Sequence, residues 1–72
     1  MHITMKQARV GVELTQREVA ERLGVHVQSY IKYEKDPDTM TLKTAKRFAD
    51  LVGVDFDTIF LHDKSNDIRE TA

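Results

Sequence analysis

The chain contains no cysteine, so neither disulfides nor thiolate metal ligands are available to it. Its three histidines, His2, His26 and His62, have no metal-ligand spacing and read as surface or cap residues. Gly11, Gly24 and Gly53 stand alone, which excludes a glycine-rich phosphate cradle. No apolar run approaches about 18 residues, and residues 1–6 lack the long apolar segment of a secretory signal. The expectation is a soluble, cytoplasmic protein with no membrane contact. Catalytic sets are missing as well. Ser29 and Ser65 have no His–Asp context, and Asp55 and Asp57 read more simply as a helix start than as an acid–base pair. The Asp36-Pro37-Asp38 stretch lacks the glycine and terminal glutamate of a calcium loop and reads as a turn. No enzyme, cofactor, metal or small-molecule ligand is expected.

What remains is a single small domain of 72 residues. A core of this size supplies only about 3–5 kcal/mol of net stability, so its packing must be economical. The formal charge is −1, whereas nucleic-acid-binding domains are often strongly basic. The charge is unevenly distributed, however. Residues 1–35 carry six basic and four acidic residues, while residues 36–72 carry five basic and eight acidic. Such asymmetry permits an anion-facing N-terminal half without establishing one.

Periodicity predicts five short helices and no strands. Met5, Ala8 and Val12 recur at helical spacing and predict a first helix over 4–12, with Gly11 weakening its end. Thr15-Gln16-Arg17-Glu18 is a capping box that opens a second helix, in which Val19, Ala20 and Leu23 form the apolar stripe. Gly24 supplies the backbone freedom to end it and turn. A third helix is predicted over 27–35, with His26 near its N-cap. Thr39 and Thr41 mark a polar loop after Pro37. A fourth helix follows from Thr41, with Leu42, Ala45, Phe48, Ala49 and Val52 on one face, and Gly53 stops it. Asp55 is a suitable cap for a short fifth helix holding Phe56, Ile59 and Phe60. Those residues and Leu61 serve either the bottom of the core or a dimer contact. Residues 1–61 form the domain, and residues 62–72 a polar, loose tail.

Two short helices joined by a tight glycine-containing turn make a helix-turn-helix. The stretch TQREVAERLGV, residues 15–25, closely resembles the second helix and turn of the XRE family, the Cro and phage-repressor type. Tyr33-Glu34 occupies the end of that family's recognition helix, Arg9 the place of its first-helix arginine, and LVGVDFDTIF (51–60) its last helix junction. The resemblance spans roughly residues 5–60. It implies an all-α, compact five-helix, lambda-repressor-like fold and a phage-type transcription regulator. It further implies a structural ion pair between Arg9 and Glu34.

A helical wheel started at Val27 and advanced about 100° per residue puts Tyr30 and Tyr33 at about 300° and 240°. Val27, Gln28, Ile31, Lys32 and Lys35 then fall on the opposite, outward side. A nine-residue helix about 13 Å long fits a major groove about 12 Å wide. The resemblance implies that Val27, Gln28, Ile31 and Lys32 read bases. Gln28 suits adenine, Lys32 guanine, and Val27 or Ile31 a thymine methyl. Gln16 would hold a phosphate with the amides at the start of its helix, and Lys6, Ser29 and Lys43 are further phosphate candidates. The implied partner is a double-stranded DNA operator, read by a homodimer whose recognition helices lie about 34 Å apart.

Asp36 and Asp38 would repel a phosphate backbone, and Val27 and Ile31 put two apolar side chains on the outward face. Both features suit a protein surface. A second reading is therefore a modulator of the same fold, docking on a partner repressor or on a toxin as its antitoxin.

Overall fold

A computed structural model describes residues 2–61. The expected tail, 62–72, lies outside the described residues. Five α-helices follow one another: α1 (Met5–Gly11), α2 (Gln16–Leu23), α3 (Val27–Lys35), α4 (Leu42–Val52) and α5 (Phe56–Phe60). A 3-10 turn, Pro37–Thr39, lies in the predicted loop between α3 and α4. There is no strand among the described residues.

Helices this short are marginal alone and depend on their caps and on packing. Thr15 accepts from the Glu18 amide at 3.0 Å while Glu18 accepts from the Thr15 amide at 2.8 Å, completing the capping box read in the sequence. The same reciprocal pair joins Thr4 and Gln7 at the start of α1, a Thr-x-x-Gln signature that the sequence reading passed over. Thr41 caps α4 through the Thr44 amide. Asp55 and His26 occupy N-cap positions, but neither side chain makes a cap hydrogen bond. The capping role expected of Asp55 is thus positional only.

Gly24 and Gly53 end α2 and α4 in left-handed conformation, at φ 74° and 71°. In each case the next amide reaches back to a carbonyl five residues earlier, Val25 to Ala20 and Val54 to Ala49. α1 ends at Gly11, one residue short of the predicted span, and closes in another way. Gly11 is helical, and the left-handed residue is Glu13, at φ 60°. Leu14 there reaches back to the Arg9 carbonyl, so a residue with a Cβ holds a place that glycine usually fills.

The core lies where α1, α2, α3, α4 and α5 converge. Val19, Tyr30 and Phe48 are its largest fully buried side chains, joined by Met5, Ala8, Ala20, Leu23, Ala45, Ala49, Val52 and Ile59. Aromatic rings form a continuous contact path: Tyr30 to Phe48 at 6.1 Å, Phe48 to Phe60 at 6.4 Å and Phe60 to Phe56 at 5.0 Å between centroids. Ile59 is buried and Phe56 and Phe60 pack partly against the core, while Leu61 is half exposed. Two expected stripe members are not core residues. Leu42 is 61% exposed because it opens α4 a turn before the first buried residue of that helix, Ala45. Val12 is the C-cap of α1 and is 39% exposed, outside the buried core.

Relief of the left-handed strain at Glu13 should be measurable. Glu13→Gly is expected to raise stability by about 0.5–1 kcal/mol, a Tm gain of a few degrees, whereas Gly24→Ala should lower it by about 1 kcal/mol. Thermal melts of the two variants check the pair.

Candidate nucleic-acid interface

The position of α3 is decided by its inner side. Tyr30 is fully buried, and its hydroxyl donates to Glu34 Oε2 at 2.6 Å. The same carboxylate receives Arg9 Nε from α1 at 2.6 Å on Oε2 and Gln16 Nε2 from α2 at 3.1 Å on Oε1. Arg9 also donates from Nη1 to the Leu14 carbonyl at 2.8 Å, tying the loop between α1 and α2 to the same cluster. The Arg9 and Glu34 side chains are only 11% and 7% exposed. No buried side-chain polar atom among the described residues lacks a partner.

Burial alone would raise the Glu34 carboxyl, but the hydrogen bonds from Arg9, Tyr30 and Gln16 outweigh it and hold the group below the ordinary carboxylate range. Burial, reinforced by the bond to Glu34, pushes the Tyr30 hydroxyl well above its ordinary range. Hydrogen bonding to Glu34 raises Arg9 further.

With the inner side held, Gln28 and Lys32 are exposed on the outer side of α3. Ile31 is half-buried and lines a groove of about 340 Å³ with Lys6, Arg9, Gln16, Glu34 and Lys35. The groove brings Lys6, from the first turn of α1, together with the start of α2 and the outer edge of α3. Lys35 belongs to this assembly, although the sequence reading placed it outward without giving it a role. Its position at the end of the same wheel face was the available signal.

Val27 departs from the outward placement. It is half-buried, packs against the core, and lines a cleft with Arg17, Ala20, Glu21, Val25 and His26. As the first residue of α3 it sits directly after the turn, where α2 and α3 are close enough to cover it. Gln16 has a second occupation, since one of its two amide N–H groups is donated to Glu34. Ser29 is half-buried, and Lys43 is exposed in the first turn of α4, on a separate element from the groove. Among the described residues no group of three or more metal-binding side chains assembles. No helix there is long and apolar enough to cross a membrane.

The order of the helices, the tight Gly24 turn and an α3 held from beneath with a polar outer side define a helix-turn-helix domain. A family model described as helix-turn-helix matches residues 5–59, and the chain belongs to this family, in its XRE type. It is thus a DNA-binding transcription regulator, of a family that is not enzymatic. No curated protein and no solved structure matches the chain.

The Glu34 cluster makes stability pH-dependent in a defined direction. The folded Glu34 pKa lies below its unfolded value near 4.5, so its contribution is complete above that pH and is lost as pH falls through the folded value. The folded Tyr30 pKa lies above its unfolded value near 10.0, so its contribution holds below that pH and declines above it. Glu34→Gln is expected to cost about 2–4 kcal/mol at neutral pH by leaving Arg9 without its counter-charge, and to flatten the acid limb of the stability profile. Urea denaturation of both proteins between pH 3 and pH 11 tests this; an unchanged acid limb in the variant would assign that limb to other carboxylates.

Proposed function

We propose that the chain is a Cro-like repressor that inserts α3 into the major groove of a palindromic operator. The observation that carries this reading is the division of α3 into two sides. Tyr30 and Glu34 are anchored inside, while Gln28 and Lys32 are exposed outside. Gln28 has the donor and acceptor for a bidentate contact with adenine, and Lys32 can donate to guanine. Ile31 offers a methyl surface to thymine from the groove edge. Half-buried Val27 contributes at most its exposed part. Lys6 and Lys35 flank that groove as phosphate contacts, with Gln16 using its remaining amide N–H; Ser29 and Lys43 contact phosphates further out. A palindromic site calls for a homodimer. Exposed Leu61 and the partly buried Phe56 and Phe60 of α5 offer an apolar surface for it.

Asp36 and Asp38 favour a second reading. Both are exposed immediately after α3, where a phosphate backbone would meet two carboxylates. A modulator that docks on a partner repressor, or an antitoxin that docks on its toxin, would tolerate them.

Selection from a random duplex library followed by fluorescence anisotropy across salt separates the two readings. A groove-reading dimer enriches a symmetric sequence and loses affinity with a log–log slope of about 0.9 per phosphate neutralised. Gln28→Ala should then cost about 1–3 kcal/mol on the selected site and little on random DNA. Failure to enrich any sequence, with a clear complex formed by a co-expressed repressor or toxin, would select the modulator.

A further inference from the structure

The last carbonyls of a helix have no partner within it and must find one elsewhere. In α2, the Ala20 and Glu21 carbonyls are taken by the Gly24 amide, with the Val25 amide also reaching Ala20. Arg22 and Leu23 remain. Their carbonyls accept from Arg47 of α4, with Nη1 at 3.2 Å from Leu23 O and Nη2 at 3.4 Å from Arg22 O. A guanidinium fork suits two neighbouring carbonyls, and a cation is favoured at the negative end of the helix dipole. Asp50 lines the same cleft as Arg47, and the guanidinium hydrogen-bonds to the carbonyls of α2.

Those two carbonyls directly precede the turn. Gly24, Val25 and His26 follow, and α3 starts at Val27. A tilt of about 5° at the turn would displace the far end of a helix about 13 Å long by about 1 Å. Base contacts tolerate only about 0.5 Å of misplacement. We propose that Arg47 is a positioning residue for DNA reading: from α4 it clasps the end of α2 and sets the angle at which the turn delivers α3 to the groove. This rests on α3 being the reading helix. Arg47 itself touches no base in this role, so its loss should be felt in discrimination between sequences.

The test uses the full chain, Arg47→Met and Arg47→Lys, each well below its own Tm. Affinities are measured by anisotropy for the selected site and for random duplex, and amide exchange is followed by NMR. Arg47→Met should lose about three- to tenfold on the selected site and less than twofold on random DNA. Exchange at the Gly24 and Val25 amides should quicken by a similar factor ahead of the core amides. Arg47→Lys keeps the cation but bridges one carbonyl, and should fall between wild type and Arg47→Met. Equal losses on both DNAs would make Arg47 a phosphate contact, and uniform quickening of exchange would make it a general stabiliser; either overturns the proposal, as does an unchanged ratio. A wild-type chain that does not discriminate would instead remove α3 as the reading helix, so the wild-type ratio tells the two failures apart.

Discussion

The Glu34 side chain is only 7% exposed, and a carboxylate shielded that far is tolerable only when donors surround it. Arg9, Gln16 and Tyr30 provide them from α1, α2 and α3. Because each donor comes from a different helix or a different turn, the carboxylate can be satisfied only when all three helices hold their native relation. Tyr30 carries the constraint inward, since its ring packs on Phe48 and through it on Phe60. A polar cluster and an aromatic core are therefore one mechanical unit. The outward side of α3 is what this unit leaves over.

The near-neutral charge of the chain is less awkward once its elements are located. Lys6 and Lys35 line the α3 groove, Lys32 is exposed on the same helix, and the glutamate that shares the groove is matched by Arg9. Asp50, Asp55 and Asp57 gather instead at the junction of α4 and α5. Net charge averages over these regions, whereas a DNA phosphate responds to what lies within roughly a Debye length of about 8–10 Å. Asp36 and Asp38 are the exception, being exposed at the end of α3 itself. They are the reason a protein partner remains a reading with physical content.

The helix ends show how a chain with a small core economises. Five helices of 5 to 11 residues leave many orphan amides and carbonyls. Threonine caps answer those at the starts of α1, α2 and α4, and back-reaching amides answer many at the ends. Where local groups run out, at Arg22 and Leu23, a side chain from another helix completes the set.

Local chemistry made much of this legible in advance. The Thr15–Glu18 box, Gly24, the span of α3 and the inward side of Tyr30 all depend on residues within a few positions of one another, and periodicity reports them directly. The half-burial of Val27, the exposure of Leu42, the diversion of Gln16 to Glu34, the joining of Lys35 to Lys6 and the Arg47 clasp were decided only by tertiary structure. Periodicity tells which side of a helix faces inward, but not how far its neighbour extends to cover it. Nor does it tell which group satisfies a buried acceptor when donor and acceptor stand 18 to 25 residues apart. Such pairs exist only after the chain has folded back on itself, because closing the loop between them is what brings donor and acceptor within reach.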